Sequence, residues 1–300
     1  MSFFQPASGT TLSHDIADYP DGIVLPIDKP WRWTSADVIR KVKFAAFRHF
    51  RKKNLKVGHA GTLDPLATGV LLVCLGPACK RAQEFQDHDK EYVAGIRFGA
   101  TTPSYDLEKE VDRTFPYDQV TEEAVRAVLP SFLGPQEQVA PLFSAKSVDG
   151  VRAYEMARKL YRNAQKGVLD PDFDAAALET LHRSRITISD LELLEYVEAS
   201  AGPVVISSDA PLVILSEAKE SITSTASSRI NVADTSSLGL PEARIRIACS
   251  KGTYIRAFAR DLGEALGTGA HLSSLVRTKT GAFRLEDALS LEEALALLAD

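Results

Sequence analysis

The segment GHAGTLDPLATG, residues 58–69, limits the possible folds of this chain more than any other segment. It holds three glycines, a proline, a histidine and one carboxylate, so its backbone must turn sharply and approach other parts of the structure closely. The apolar run GVLLVCLG, which starts at Gly69, is partly β-branched and bounded by glycines. This pattern predicts a buried strand directly after the turn, and it places the carboxylate of Asp64 in a loop between ordered elements.

The loop lacks the residues that bind phosphate in two common nucleotide-binding motifs. The segment has neither the Gly-Lys-Ser/Thr ending of a P-loop nor the GxGxxG spacing of a dinucleotide-binding fold. A plainer interpretation stays open, because an aspartate that precedes a proline, as Asp64 precedes Pro65, can simply cap a turn. Local chemistry alone does not decide between a turn-making aspartate and a reactive one.

The charge of the chain is unevenly distributed. The net charge is −5, which is unusual for a protein that contacts nucleic-acid phosphates. Between Val38 and Leu63, however, no acidic residue occurs, and the segment holds eight cations: Arg40, Lys41, Lys43, Arg48, Arg51, Lys52, Lys53 and Lys56. This basic block runs into the glycine-rich loop and indicates a phosphate-binding face, with a solvated helix face as the alternative.

The remaining hydrophobic patterns alternate between strands and helices. Strands are predicted at 22–30, 92–100 and 183–198, helices at 35–47, 121–134 and 152–167, and a strand-turn-helix unit at 243–267. This mixture predicts an α+β fold. Residues 1–21 are expected to form a flexible arm and residues 22–300 one domain, with the Ser/Ala/Thr-rich segment 199–240 as a surface insertion.

Composition argues against several classes of protein. The chain has no run of about 18 apolar residues and no basic-then-apolar N-terminus, so neither a membrane span nor a secretory signal is predicted. Cys74, Cys79 and Cys249 form an odd set without CxxC spacing, which argues against a disulfide framework and a zinc site. We expect reduced thiols, two of them buried, in a cytoplasmic protein without a metal.

Four groups of motifs resemble, in order, those of the bacterial TruB family of tRNA pseudouridine synthases. They are IDKP with GHAGTLDPLATG and LLVCLG, then KEYVAGIRFGATT, PLFSAKSVDGVRAYEMAR and CSKGTYIRAFARDLGEALGTGAHLSSLVRT. The similarity covers most of the chain from Gly22 to Glu293. It implies the α+β pseudouridine synthase fold, a mixed and mostly antiparallel sheet flanked by helices and loops, with a central RNA-binding cleft.

The resemblance implies an activity as well. Members of the family isomerise uridine 55 in the T-loop of tRNA by breaking the C1′–N1 bond and rejoining the base through C5, without a cofactor or a metal. The target nucleotide must leave its stack to be reached. Asp64 would be the catalytic residue, either attacking C1′ or taking a proton from C2′. The expected partner is the T-arm of tRNA, and we expect a monomer that does not bind membranes.

Three further residues would complete the reactive centre on the same resemblance. Tyr92 would stack on the flipped uracil and Tyr254 would line the same pocket, although a lone tyrosine is more often a core residue. Arg256 would pair with Asp64 and hold it ionised, and it would lie on the same side as Tyr254 if this segment is extended.

Three more residues would contact the RNA or its pocket. His59 would stack near the target nucleotide, Leu275 would form an apolar wall, and Lys29 would bind phosphate or main-chain carbonyls. The plainer alternatives are a structural histidine, a core leucine and a solvated lysine. Asp106 stands in a segment, TTPSYDLEKE, that departs from the usual family pattern, so it is not included in the site.

Many members of the family carry a C-terminal RNA-binding module called PUA, and we expect a short form without it. The basic block would then supply the RNA footprint. Two alternatives remain open: a synthase that acts on another RNA uridine, and an RNA-binding or tRNA-folding factor that does not depend on catalysis. The presence of Asp64 together with Tyr92, Tyr254 and Arg256 favours the enzyme.

Overall fold

The computed structural model describes residues 3–6, 9–141, 147–148, 151–152, 183–200, 230 and 232–299. Its strands are β1 (Ile23–Lys29), β2 (Val57–Ala60), β3 (Ala67–Leu75), β4 (Lys90–Phe98), β5 (Ala100–Thr101), β6 (Arg113–Thr114), β7 (Gly134–Val139), β8 (Ser147–Val148), β9 (Val151–Arg152), β10 (Arg183–Val197), β11 (Glu242–Cys249), β12 (Ala270–Thr280), β13 (Phe283–Arg284) and β14 (Leu289–Ser290). Its α-helices are α1 (Ser35–His49), α2 (Ala82–Asp87), α3 (Glu122–Val128), α4 (Ile255–Ala265) and α5 (Leu291–Ala296).

A ten-stranded mixed sheet organises the described residues. Eight strands follow the order β14-β1-β3-β12-β4-β11-β10-β7, while β2 pairs with β3 and β13 with β12. The pairs β1–β14 and β3–β12 are parallel, and the other pairs in this sheet are antiparallel. This arrangement confirms the predicted α+β class and the mostly antiparallel sheet.

Strand β3 is the most buried strand of the sheet. All nine of its residues are buried, as the apolar run after Gly69 predicts. Gly69 itself has φ +97°, and a Cβ atom there would lie 2.2 Å from the carbonyl oxygen of Arg277 on β12. Glycine is therefore required for β3 and β12 to approach each other at this point.

The helices begin where the capping residues predict. Thr34 caps α1 through a capping box with Asp37, and Thr121 accepts a hydrogen bond from the Ala124 N–H at the start of α3. The helix predicted over 121–134 is shorter than expected, because it passes into a 3-10 turn that contains Pro130. No helix among the described residues is both long and apolar enough to cross a membrane.

Two predicted segments fall largely outside the described residues. The helix expected at 152–167 lies there except for its first residue, and so does most of the segment 199–240. The described end of the latter, residues 232–240, packs against the domain, with Ala233 and Leu240 buried.

The N-terminal residues differ from the flexible arm that was expected. Leu12 and Ile16 are 4% and 7% exposed and belong to the main hydrophobic core. The imidazole of His14 lies 4.4 Å from that of His49, at the end of α1. Two apolar side chains therefore anchor this mostly exposed segment to the core, although its overall composition is polar.

Candidate active site

A cleft that opens to solvent lies beside the loop that carries Asp64 (residues 61–66, the Asp64 loop). Strand β12 supplies much of its wall, and most of the other lining side chains are apolar. The charged groups that line it are Asp64, Asp106 and Arg256. One guanidinium therefore serves two carboxylates in a site of otherwise low polarity.

Asp64 and Arg256 form an ion pair at this cleft with two contacts. Arg256 Nε donates to Asp64 Oδ2 at 2.9 Å, and Nη2 donates to Oδ1 at 3.2 Å. The arginine side chain is only 6% exposed, whereas the aspartate side chain is 38% exposed. A guanidinium that donates to both oxygens fixes the plane of a carboxylate as well as its position. Asp64 is thus held in one orientation and remains accessible.

Asp106 places a second carboxylate close to the same guanidinium. Its Oδ2 lies 3.8 Å from Arg256 Nε, and its Oδ1 accepts hydrogen bonds from the Ser104 hydroxyl at 2.6 Å and the Glu108 N–H at 2.9 Å. Burial raises the pKa of Asp106, and the charge of Arg256 only partly opposes this. Arg256 Nη1 also donates to the Ser104 carbonyl at 3.2 Å. The segment 104–108 therefore holds the guanidinium in place.

Arg256 keeps its charge in this buried position. Burial lowers the pKa of Arg256, but the negative charges of Asp64 and Asp106 raise it, and the net shift is upward. A buried cation is stable only when such partners surround it. The guanidinium is therefore a permanent cation that donates to Asp64 and lies within ion-pair distance of Asp106.

Arg277 ties together the two ends of the Asp64 loop. Its side chain on β12 is buried; Nε donates to the Val70 carbonyl at 2.7 Å, and Nη2 donates to the Gly61 carbonyl at 3.0 Å. These two carbonyls lie on either side of the loop. One buried guanidinium thus fixes the shape of the turn that presents Asp64.

The start of α1 fixes the residue before Asp64. The Ser35 hydroxyl accepts a hydrogen bond from the Leu63 N–H at 3.0 Å and donates to the Leu63 carbonyl at 3.2 Å. Ser35 is buried as the first residue of the helix. The glycine-rich segment is therefore locally rigid where it carries the carboxylate.

Lys29 fixes the residue after Asp64. Its ammonium is buried and donates to the carbonyls of Trp33 at 2.6 Å, Pro30 at 2.9 Å and Pro65 at 3.2 Å. Burial lowers the pKa of Lys29 to about 7, and the negative charge of Asp64 opposes this shift. Of its two expected partners, phosphate and main-chain carbonyls, the structure provides the carbonyls.

Tyr92 and His59 lie on strands near the loop. Tyr92 on β4 is 8% exposed, stands opposite Arg277 in the β4–β12 register and has its pKa raised by burial. His59 on β2 stands opposite Val73, and burial lowers its pKa, with a further contribution from the charge of Arg277. Both side chains therefore share the electrostatic environment of Arg277.

Tyr254 and Leu275 lie on different elements, at the start of α4 and on strand β12. Tyr254 is the N-cap residue of α4, where its N–H donates to Gln138 Oε1 at 2.9 Å and its carbonyl accepts from Gln138 Nε2 at 3.1 Å. The segment from Tyr254 to Arg256 is thus the start of a helix rather than extended. Leu275 on β12 is 9% exposed and lines the cleft.

The structure brings Asp64, Arg256 and Leu275 together at the cleft surface. Within the described part of the chain, the other four predicted residues do not line this cleft: Lys29, His59, Tyr92 and Tyr254. Two contributors were missing from the predicted site. Asp106 was set aside for its unusual context, and Arg277 could have been found as the one charge within the buried run of a strand, SSLVRT.

Two protein-family models match this chain. The model described as TruB family pseudouridylate synthase (N terminal domain) matches residues 48–168, and the model described as tRNA pseudouridylate synthase B C-terminal domain matches residues 256–300. The Asp64 loop lies in the first match, and Arg256 is the first residue of the second. The ion pair at the cleft therefore joins the two matched regions.

Curated relatives are similar over nearly the whole chain. The tRNA pseudouridine synthase B of Bacteroides thetaiotaomicron is 45% identical over 275 residues, which are 92% of this chain and 92% of that protein. The protein of the same name from Phocaeicola vulgatus is 43% identical with the same coverage. That from Deinococcus deserti is 37% identical over 90% of this chain and 77% of that protein.

Solved structures show the same fold in larger proteins. A chain of a Cbf5-Nop10-Gar1 complex aligns with a TM-score of 0.54 at 23% identity, and a chain of an H/ACA RNP bound to a substrate RNA containing 2′-deoxyuridine aligns with 0.52 at 22%. Both alignments cover 92% of this chain, which spans about half the length of those chains, 54% and 53%. The family models and the relatives together show that this chain belongs to the TruB family of pseudouridine synthases.

Proposed function

We propose that this chain isomerises uridine 55, in the T-loop of tRNA, to pseudouridine. The observation that carries this proposal is the Asp64–Arg256 ion pair at an open cleft, in a chain whose relatives are named tRNA pseudouridine synthase B. The reaction needs one well-oriented carboxylate and a space for a nucleobase. The cleft supplies both.

In this proposal Asp64 is the catalytic residue. The C1′–N1 bond of the target uridine breaks and the uracil turns. A C1′–C5 bond then forms, C5 loses its proton to water, and N1 takes up one proton, so that the product is an isomer of the substrate. Asp64 acts on the sugar, at C1′ as a nucleophile or at C2′ as a base. Because Arg256 donates to each carboxylate oxygen, one oxygen retains its hydrogen bond while the other reacts.

The base-binding side of the cleft is apolar in this proposal. Leu275 forms part of its wall. We assign Tyr92 on β4, a buried phenol whose pKa is raised by burial, to contact with the uracil. Apolar walls favour a base that has left its stack, because every base has a hydrophobic face. We also assign Tyr254, at the start of α4, and His59, on β2, to contacts with the nucleotide.

The basic block supports an RNA footprint next to the cleft. All eight of its cations are exposed. Helix α1 also presents Phe44, 66% exposed, with the guanidinium of Arg48 5.9 Å from its ring centroid. The same helix contacts the Asp64 loop through Ser35. We therefore assign this face to the RNA backbone, whose phosphates attract exposed cations.

We place the protein in the cytoplasm, as a monomer that uses no metal. The cysteines are free and impose no need for an oxidising compartment. Cys74 and Cys249 are free and buried, and burial raises their pKa values to about 12 and about 11. Such thiols are inert to exchange and need no oxidising environment.

Light scattering of the protein with and without tRNA tests the monomer directly.

The substrate assignment is tested with unmodified tRNA labelled with tritium at C5 of uridine, because isomerisation releases this label to water. We expect release of about one equivalent per tRNA, and mapping of the product should place pseudouridine at position 55. A tRNA with cytidine at position 55 is the matched control and should release nothing. Equal release from both RNAs would indicate another target uridine, and binding without release would indicate an RNA-folding factor.

A further inference from the structure

The connection between β10 and β11 returns to the domain at the Asp64 cleft. Residues 230 and 232–235, the returning limb, are the first part of that return that the structure describes. Val232 lines the cleft together with Asp64 and Trp31. The returning limb lies between the two regions matched by family models, 48–168 and 256–300. It therefore adds a wall to the cleft that neither family model covers.

Three different parts of the domain hold the returning limb. Arg32 Nη2 donates to the Ile230 carbonyl at 2.6 Å, and the Ala233 N–H donates to the Leu107 carbonyl at 2.8 Å. Further along, Arg97 Nη1 on β4 donates to the hydroxyl of Thr235 at 2.6 Å. Ala233 and Thr235 are 4% and 2% exposed. Val232 is thus held in place from both sides.

Arg32 links the returning limb to Trp31, the residue that precedes it in the chain. Its φ is +64°, a left-handed conformation that costs a residue other than glycine about 1 kcal/mol or more. Its guanidinium lies 5.5 Å from the ring centroid of Trp31 while it bonds the Ile230 carbonyl. One strained residue therefore joins the indole on one side of the cleft to the limb that carries Val232.

We propose that Trp31 and Val232 form a subsite for the base of a nucleotide next to the flipped uridine, with Arg32 as a positioning residue. This inference rests on the proposed function. An RNA that places one nucleotide at Asp64 must place its neighbour within one backbone step of it. The indole and the isopropyl group offer stacking and apolar contact. The Arg32 guanidinium is held through Nη2 by the Ile230 carbonyl, while its buried Nε has no hydrogen-bond partner among the described residues. The ligand is a nucleobase face, read without regard to base identity.

The test combines removal of a base with removal of a side chain. The substrates are three T-arm hairpins with tritium at C5 of the target uridine. One is intact, and each of the other two lacks the base of one nucleotide that flanks the target. With the wild-type protein, one abasic position should lower kcat/KM about tenfold, mainly through KM. With Trp31→Ala or Val232→Ala, the same base removal should change kcat/KM by less than about twofold, since the partner is already gone. Leu238→Ala, an exposed position beyond the limb, should retain the tenfold effect.

Arg32 is tested by the same cycle. Arg32→Ala should abolish the effect of the abasic position, and Arg32→Lys, which retains a donor for the Ile230 carbonyl, should restore part of it. A purely structural role would lower the melting temperature and leave the abasic effect at its wild-type size. An unchanged abasic effect in Trp31→Ala and Val232→Ala would overturn the subsite. Failure of the proposed function is distinct, because the wild-type protein would then release no tritium from the intact hairpin.

Discussion

Arg256 donates two hydrogen bonds to the carboxylate of Asp64, which lies 192 residues earlier in the chain. The pair joins the Asp64 loop, between β2 and β3, to the first turn of α4. Because the guanidinium is buried and also contacts the segment 104–108, it is a fixed reference to which the carboxylate is aligned. The orientation of the Asp64 carboxylate is therefore built into the fold.

The first prediction concerns this alignment. Arg256→Lys retains a positive charge but cannot donate to both carboxylate oxygens in one plane, so we expect kcat to fall about 100-fold with a small change in RNA affinity. Single-turnover tritium release and filter binding measure the two effects separately. Arg126→Lys, which alters an exposed ion pair on α3, is the matched control and should retain wild-type kcat. If Arg256→Lys retained the wild-type kcat, the two hydrogen bonds from Arg256 to the Asp64 carboxylate would not be needed for the reaction.

The second prediction concerns the close approach of β3 and β12. Gly69→Ala puts a methyl group 2.2 Å from the Arg277 carbonyl at a φ of +97°, so we expect a loss of about 3 kcal/mol or more in the free energy of unfolding. Gly58→Ala is the control from the same motif, because a Cβ there meets nothing within 4 Å. Urea unfolding at constant pH measures both. Similar midpoints for the two variants would contradict the packing described here.

The third prediction concerns Lys29 and pH. Its pKa is about 7 in the folded protein and 10.5 in its ordinary state, so between these values the unfolded chain binds more protons. Lys29 should therefore make the free energy of unfolding rise with pH between about 7 and 10.5. This gain in stability should be lost as the pH falls towards 7, where the folded protein also binds the proton. Lys29→Met should show a smaller slope than the wild type between pH 7 and 9. Identical slopes would mean that burial does not shift this ammonium.

The fourth prediction concerns the basic block. Lys52→Gln with Lys53→Gln should weaken RNA binding and reduce the slope of log affinity against log salt by about one to two, since two phosphate contacts are removed. Lys80→Gln, an exposed lysine outside the block, should leave the slope unchanged. Affinities measured at several salt concentrations decide the matter. An unchanged slope in the double variant would make these lysines a solvated surface only.

The elements around the site were largely predictable from local patterns. The apolar run after Gly69 predicted β3 because a strand buried on both faces needs such a run, and the apolar spacing from Ser35 to Phe47 predicted α1. The burial of Leu12 and Ile16 was not predicted, since isolated apolar residues in a polar segment give no periodic signal.

The contacts within the site were less predictable than its residues. Resemblance to a family suggested the Asp64–Arg256 pair, whereas spacing alone says nothing about groups 192 positions apart. Arg277 was missed because its acceptors are the main-chain carbonyls of Gly61 and Val70, which have no side-chain signature. The wall formed by Val232 was missed for a related reason, because its anchors are mostly backbone groups.

The most direct test of the account is tritium release by Asp64→Asn, with unmodified tRNA labelled at C5 of uridine. The amide retains the size of the side chain but cannot act as a nucleophile or a base, so we predict binding close to that of the wild type and no detectable release. Glu123→Gln, an exposed carboxylate on α3, is the matched control and should release label at the wild-type rate. Undiminished release by Asp64→Asn would contradict the assignment of Asp64 as the catalytic residue.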